Sequence, residues 1–153
     1  MYGATIFHGS NAEVAMPRLP QHGQYRDFGY GFYCTHDEQS SRRRALTRRG
    51  SSVLNSYTYS ENPQLKLKIF SEMTDEWLDF VAACRLGTPH RFDVVAGPMA
   101  DDQIWNYVEA LLAGRISRAA FWELAKFNHP THQLAFCTEL SLQTLSFTGS
   151  VAL

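Results

Sequence analysis

The sequence predicts an α+β domain in which strands and helices are interspersed without regular βαβ alternation. Apolar residues recur at helical spacing in several segments, and short runs rich in β-branched and aromatic residues lie between them. The 153 residues, of which 44% are hydrophobic and 19% charged, suit one core. Because we find no internal repeat, low-complexity tract or linker, we expect residues 1–153 to form a single domain.

The first elements are a strand, a loop and a second strand. Residues 4–8 favour a strand that Gly9-Ser10 ends, and the segment 11–24 contains enough prolines and glycines to predict a loop. Residues 31–35 favour the second strand.

A helix is then predicted over residues 36–49. Thr35 and Glu38 match a capping box, with the threonine as cap and the glutamate reaching back to the cap amide. Arg48-Arg49 suits the negative C-terminal end of this helix, and Gly50 suits the left-handed residue beyond it.

The middle of the chain alternates between strand and helix patterns. These patterns predict strands over 53–59, 65–70 and 92–96, and an amphipathic helix over 74–86. Gly87 is expected to end the helix, and Gly97-Pro98 to close the last of these strands.

The C-terminal part begins with a helix at Asp101-Asp102, whose carboxylates favour a helix start through the dipole. A second short helix is predicted over 117–127. Gln133 opens a late strand that includes Leu134 and Phe136, and residues 145–151 form the last strand.

The bulk composition restricts the classes of function. A net charge of −1 is not that of a dedicated nucleic-acid-binding domain, although a nucleic acid stays open as a transient substrate. Cys34, Cys84 and Cys137 are odd in number and widely spaced, which argues against a disulfide framework and for a reducing, cytoplasmic setting. No signal peptide is recognised, and no apolar run approaches the roughly 20 residues that span a bilayer, so we expect no membrane contact.

Metal and thiol chemistry are not expected. His129 and His132 form an H-x-x-H pair without a carboxylate at a recognised spacing, and Pro130 disfavours a helix there. Cys34 and Cys137 fall on predicted core strands, whereas a nucleophilic thiolate needs exposure beside a base.

The most informative segment is the glycine-framed aromatic run at residues 27–35. It is not a dinucleotide-binding G-x-G-x-x-G, because the third glycine is missing and the step precedes the strand. Because side chains alternate along a strand, Gly31, Tyr33 and Thr35 lie on one face and Phe32 and Cys34 on the other. The second face suits a core, and the first offers a flat ring beside bare backbone where a planar ligand can lie. The alternative is that the glycines only make a tight bend.

Two polar residues elsewhere are candidates for the same site. His8 ends the first predicted strand, and the glycine after it lets a ligand approach the backbone closely. Its neutral imidazole can donate a hydrogen bond to a ribose hydroxyl; the alternative is a structural histidine. Gln133 is either a functional group or a solvent-facing residue at a strand start.

Together these segments resemble the ADP-ribosyltransferases of the diphtheria-toxin and poly(ADP-ribose) polymerase type. That group has a histidine-glycine on its first strand, G-x-G-[FI]-Y on its second, and an acid or amide opening a later strand. The chain is more similar still to a bacterial domain family of unknown function placed in that superfamily, DUF3990. The similarity rests on four segments: Phe7-His8-Gly9-Ser10, residues 27–35, Gly97-Pro98-Met99-Ala100-Asp101-Asp102 and residues 133–139.

The resemblance implies split mixed β-sheets with flanking helices, and NAD as a substrate. His8 would bind a ribose of NAD, Gly9 would hold the nicotinamide amide through its backbone, and Tyr33 would stack on the nicotinamide ring. Ser41 would contact the amide, and Gln133 would occupy the position of the catalytic glutamate. The remaining residues of the implied NAD site are Ser10, Gly31 and Phe32.

The implied chemistry explains these residue types. Cleaving the bond between nicotinamide and ribose develops positive charge on the sugar, in an oxocarbenium-like transition state. A carboxylate best places electron density near that charge, whereas a glutamine carbonyl only accepts the 2-hydroxyl hydrogen bond. Three outcomes stay open: transfer of one ADP-ribose to a good nucleophile, a carboxylate supplied by Glu139 or the substrate, or binding without catalysis.

The resemblance therefore implies an NAD-dependent mono-ADP-ribosyltransferase with a protein or nucleic-acid acceptor. Its context would be a bacterial toxin or defence module, with an antitoxin protein as partner. The alternatives are an NAD glycohydrolase and a non-catalytic NAD- or ADP-ribose-binding regulatory protein. The arginines at positions 42–44 and 48–49 form either a solvated helix face or a patch that steers an anion towards the cleft.

Overall fold

The computed structural model describes residues 4–21, 25–47 and 50–153, and within these ranges the strands form two sheets. The strands are β1 (Thr5–Ser10), β2 (Phe32–Cys34), β3 (Val53–Tyr59), β4 (Leu67–Ile69), β5 (Val94–Pro98), β6 (His132–Phe136) and β7 (Leu145–Ala152). One sheet has the antiparallel order β1-β3-β7. The other has the order β2-β6-β5-β4, in which only β4 and β5 are parallel.

Helices accompany both sheets, which confirms the predicted α+β class. They are α1 (Glu38–Leu46), α2 (Asp75–Arg85), α3 (Asp102–Leu112), α4 (Arg118–Ala125) and α5 (Glu139–Leu142). Each begins at a side chain that accepts a hydrogen bond from a first-turn backbone N–H: Asp37, Thr74, Asp101, Ser117 and Thr138. None of the helices in the described part of the chain has the length and apolar character that crossing a membrane requires.

The predicted start of α1 was wrong. Thr35 was predicted as its cap, but the hydroxyl of Thr35 instead accepts a hydrogen bond from the backbone N–H of Asp37 (3.0 Å). Asp37 then caps the helix by accepting from the N–H of Gln39 (3.1 Å), so the helix begins two residues later than predicted. It ends at Leu46, and the predicted C-terminal pair at 48–49 lies outside the described residues.

Two strands run through the glycine steps that were predicted to end them. Gly9 pairs with Leu54 in the first sheet, and Gly97 pairs with Gln133 in the second. A Cβ on Gly9 would lie 2.3 Å from the carbonyl oxygen of Ser41 in α1. The glycine therefore provides space for a helix to approach the strand, rather than a turn.

The second sheet has a core on each face. Tyr33 and Val95 pack with residues of α2, α3 and α4, whereas Phe32, Cys34 and Val94 pack with the first sheet. This confirms the predicted alternation of β2. All three residues of β2 are buried.

The loop between the two first strands is anchored at its start. Within residues 11–21 there is neither helix nor strand, as predicted. Asn55 of β3 is fully buried; its Oδ1 accepts from the N–H of Val14 (2.8 Å), and its Nδ2 donates to the carbonyls of His8 (3.3 Å) and Ala12 (3.2 Å). The hydroxyl of Tyr57 donates to the carbonyl of Val14 (2.6 Å).

We predict that Asn55→Ala lowers the free energy of unfolding by about 2–3 kcal/mol, because it removes the three hydrogen bonds that this buried amide makes to Val14, His8 and Ala12. Urea unfolding measures this change. The matched control is Asn62→Ala, which removes one turn hydrogen bond, to the N–H of Gln64. An equal loss of stability in the two variants would contradict the anchoring role of Asn55.

Candidate functional site

A cavity of about 410 Å³ lies where β1, β2 and β6 approach α1 and the loop after β1. The two sheets meet beside it, since Phe7 and Thr35 exchange backbone hydrogen bonds of 2.8 and 3.0 Å. Most residues of the predicted site line this cavity: His8, Gly9, Gly31, Phe32, Tyr33, Ser41 and Gln133. Ser10 does not line it; this buried residue directs its hydroxyl to the Oδ1 of Asn11, at 3.5 Å.

His8 is oriented by the strand that bears Tyr33. Its Nδ1 lies 2.6 Å from the carbonyl oxygen of Tyr33, and its ring packs on Phe32 with the centroids 4.2 Å apart. A carbonyl only accepts, so Nδ1 must carry the proton, and the lone pair of the neutral ring is on Nε2. With this tautomer a neutral ring has Nε2 as its accepting nitrogen, and donation from Nε2 to a ribose hydroxyl would need the protonated ring.

Tyr33 is buried rather than displayed. Only 6% of it is exposed, and its hydroxyl donates to the carbonyl of Gly29 (2.6 Å) and accepts from the N–H of Phe28 (3.0 Å). Desolvation raises the pKa of this phenol far above its ordinary value, so Tyr33 stays neutral. The guanidinium of Arg26 lies 4.6 Å from the ring centroid, so a stacked ligand would meet Arg26 as well as Tyr33.

Gly9 presents backbone groups to the cavity. Phe7 directs its N–H and C=O to Thr35, away from β3. Residues two apart in a strand direct these groups to the same edge, so Gly9 directs its own towards the side of β2, beside the cavity. Ser41 lies next to this edge because α1 packs directly on Gly9.

Gln133 is buried, which excludes the solvent-facing alternative. It is 6% exposed, and its side-chain Nε2 donates to Oδ2 of Asp27 at 3.1 Å. Because a carboxylate accepts only, the amide nitrogen must be the atom that faces Asp27. The carbonyl oxygen Oε1 is then the atom of this amide that remains to accept a hydrogen bond from a ligand.

Asp27 is the centre of a network that sequence reasoning missed. The residue is 3% exposed and accepts hydrogen bonds from Arg85 Nε (2.9 Å) and Nη2, from the N–H of Ala100 (2.8 Å) and from Gln133. The guanidinium of Arg85 also lies 4.2 Å from the ring centroid of Trp105. In sequence, Arg85 looks like any basic residue at a helix C-terminus, so no local pattern marks it as the partner of Asp27.

The segment that follows β5 surrounds this carboxylate. A Cβ on Gly97 would lie 2.9 Å from the Cβ of Phe70, and the carbonyl of Pro98 accepts from Nε1 of Trp77 (2.9 Å). These contacts place the Ala100 N–H on Asp27. The next residue, Asp101, caps α3 by accepting from the N–H of Ile104 (2.8 Å), as its position in the sequence predicted.

The cavity is basic. Its described lining includes three arginines, Arg18, Arg26 and Arg44, and no aspartate or glutamate. The sequence left two interpretations of the α1 arginines, a solvated helix face and a patch beside the cleft, and each applies to a different residue. Arg44 lines the cavity, whereas Arg43 bonds to the hydroxyl of Ser40 (3.2 Å) on the exposed surface.

The sequence profile of a family described as protein of unknown function (DUF3990) matches residues 4–147. The chain belongs to this family. The matched range includes every residue that lines the cavity. No curated protein matches the chain. DUF3990 membership confirms the more specific of the two resemblances in the sequence and assigns no activity.

In this DUF3990 protein, Glu139 lies outside the described lining of the cavity. Gln133 is the second residue of β6. The strand ends at Phe136, three residues further on, and each residue of a strand extends it by about 3.3 Å. Glu139 lies beyond that end, where it is exposed and begins α5. A carboxylate supplied by Glu139 stays one of the three predicted outcomes.

Cys34 and Cys84 are buried, and Cys137 is half-buried. Burial raises the pKa of Cys34 well above its ordinary value, and raises that of Cys84 and of Cys137 to about 12. Among the residues that the structure describes, no group of three or more His, Cys, Asp or Glu side chains could hold a metal ion.

We predict that Asp27→Ala lowers the free energy of unfolding by about 3 kcal/mol or more, because it leaves Arg85 and two N–H donors without their acceptor. Chemical denaturation measures the change. The matched control is Asp79→Ala; Asp79 pairs with Arg118 on the surface, and its side chain is 65% exposed. The control should hardly alter the midpoint. A similar midpoint for both variants would contradict the central role of Asp27.

We also predict that the thiols react slowly with a disulfide reagent in the folded protein at about pH 8, since the thiolate is the reacting form and raised pKa values suppress it. In denaturant, all three cysteines should react at the rate of free cysteine. Absorbance of the released reagent follows both reactions. Rapid modification of one thiol in the native state would show that this thiolate is accessible.

Proposed function

We propose that the protein is an NAD-dependent mono-ADP-ribosyltransferase of the ADP-ribosyltransferase superfamily, with NAD bound in the 410 Å³ cavity. The observation that carries this proposal is the convergence of His8, Tyr33 and Gln133. These residues are far apart in sequence and come from three strands, yet all line one cavity. They are the three positions at which the resemblance implies catalytic function.

The charges and rings of the cavity support a dinucleotide as its ligand. Arginines suit phosphate because the guanidinium binds it through two charge-assisted hydrogen bonds. Arg18, Arg26 and Arg44 line the cavity and match a pyrophosphate in charge, and the described lining has no carboxylate to repel it. The backbone edge at Gly9 matches a carboxamide, which both donates and accepts. The neutral His8 ring matches a ribose hydroxyl that donates to Nε2.

The proposed reaction breaks the bond between nicotinamide and ribose. The ring leaves with the bonding electron pair, and the ribose develops positive charge. Gln133 Oε1 accepts the hydrogen bond of the ribose 2-hydroxyl, which orients the sugar and places a partial negative charge near it. The acceptor then forms a bond to the same ribose carbon and loses its proton. Since an amide has less charge than a carboxylate, transfer of one ADP-ribose to a good nucleophile fits better than chain elongation.

A second candidate is a binding protein that holds NAD or ADP-ribose without turnover. The absence of a carboxylate from the described cavity lining favours it. An NAD glycohydrolase would use the same site with water as acceptor. The role as a toxin or defence module, the cytoplasmic location, the antitoxin partner and the choice between protein and nucleic acid belong to the same proposal.

The test is to incubate the purified protein with isotopically labelled NAD, with and without bacterial lysate. Released nicotinamide and label on macromolecules are both measured, and Gln133→Ala serves as the inactive reference. Release together with label on protein or nucleic acid supports the transferase and identifies the class of acceptor. Release without label supports the glycohydrolase. Binding of NAD without release supports the regulatory protein.

We predict that Arg44→Ala weakens NAD binding about 10-fold or more, because a charge-assisted hydrogen bond contributes about 1.5–3 kcal/mol. Arg43→Ala is the matched control on the same helix, since Arg43 does not line the cavity and should leave the Kd within about 2-fold. Isothermal titration calorimetry measures both values. Equal weakening in the two variants would place the pyrophosphate elsewhere.

A further inference from the structure

The buried pair of Asp27 and Gln133 specifies which residue can occupy position 133. The amide Nε2 of Gln133 lies 3.1 Å from Oδ2 of Asp27, and the two residues are 6% and 3% exposed. A carboxylate at position 133 would place a second negative oxygen where Nε2 now donates. Like charges at this separation and burial cannot both ionise, so one carboxyl would have to keep a proton.

The neighbours of Asp27 do not remove this constraint. Arg85 supplies one positive charge, and both of its contacts are to Oδ1, whereas Oδ2 accepts from Ala100 and Gln133. Tyr33 and Cys84 also lie near the carboxylate, and burial raises the pKa of both, so they stay neutral. Three arginines, Arg18, Arg26 and Arg44, line the cavity with Gln133, and Arg26 contacts the ring of Tyr33. They lie on the cavity side of position 133, whereas the oxygen that would replace Nε2 faces Oδ2 of Asp27.

The pair also affects the atom that faces the cavity. With Nε2 on the carboxylate, the amide has one orientation, and Oε1 is directed away from Asp27. A hydrogen bond from an amide N–H to a carboxylate polarises the amide and increases the electron density on its carbonyl oxygen. Oε1 is thereby made a better acceptor than the oxygen of a solvated glutamine.

We propose that Asp27 is a positioning residue that makes Gln133 the functional group of this site. The negative charge of the site resides on Asp27, one hydrogen bond behind the amide, and the glutamine is the residue that this carboxylate requires. The glutamine is then not the trace of a lost reaction. The catalytic part of this inference rests on the proposed function, whereas the requirement for an amide at position 133 does not.

The experiment compares the wild type with Gln133→Glu, Asp27→Asn and the double variant that combines them. Gln143→Glu is the control, because residue 143 is exposed beyond α5. The first measurement needs no NAD: stability is measured by urea unfolding at about pH 5 and about pH 8. In Gln133→Glu, the pKa of the introduced carboxyl is raised in the folded state, so its stability should fall as the pH rises, relative to the wild type. In the double variant this loss should disappear, because the new amide at position 27 can donate to the introduced carboxylate.

The second measurement is nicotinamide release from NAD. In Gln133→Glu at about pH 8, kcat should fall about 10-fold or more, with a small change in KM, and the double variant should recover part of the loss. Asp27→Asn alone should lower kcat in the same way, because two amide nitrogens would then face each other. The change in kcat at nearly constant KM, measured at a pH at which every variant is folded, distinguishes positioning from a purely structural role, because a loss of stability alone would not change the kcat of the folded protein.

Two results would overturn the proposal. One is a pH dependence of stability in Gln133→Glu that matches the wild type and Gln143→Glu. The other is a kcat for Gln133→Glu at about pH 8 that equals or exceeds the wild-type value. If no protein releases nicotinamide, the wild type included, the transferase and glycohydrolase proposals fail. The stability measurement then still decides whether Asp27 requires an amide at position 133.

Discussion

A carboxylate inside a protein is unfavourable unless charge and hydrogen bonds compensate for the lost water, and the compensation of Asp27 comes from separate parts of the chain. Arg85 comes from α2, the N–H of Ala100 from the segment after β5, and Gln133 from β6. Fixing Asp27 also fixes Phe28 beside it, whose N–H donates to the Tyr33 hydroxyl. The aromatic step before β2, the opening of β6 and one end of α2 are therefore located by a single charged group.

The cavity beside this group results from the way the two sheets meet. Phe7 and Thr35 join β1 to β2 at an isolated bridge, and Gly9 lets α1 pack directly on the next part of β1. The edge of β1 at Gly9 then faces the cavity with its backbone N–H and C=O groups, and the amide of Gln133 and the arginines line the same cavity. This arrangement combines hydrogen-bonding groups of both kinds with positive charge, which is the combination that a dinucleotide requires.

Local patterns in the sequence predicted most elements, and long-range interactions account for the errors. Strand β3 is observed over the predicted residues 53–59, because its β-branched and aromatic run is unambiguous. Thr35 does not cap α1, because its hydroxyl accepts from the N–H of Asp37 and donates to the carbonyl of His132. His132 is distant in sequence, so no local pattern near the helix indicates this contact. Of the candidate site, the motifs located His8 and Gln133. Asp27, the partner of Gln133, could not be predicted, because a hydrogen bond across 106 residues has no periodicity to detect.

The anchoring of the first loop by Asn55 limits how the cavity could open. Asn55 holds the carbonyls of His8 and Ala12 through one amide nitrogen, and its oxygen holds Val14. Leu19, next to Arg18, packs on the core that β1 and β3 share, so the segment with Arg18 is attached on both sides. The positively charged wall of the cavity is thus formed in advance, and little conformational entropy is lost in ordering it when an anion binds.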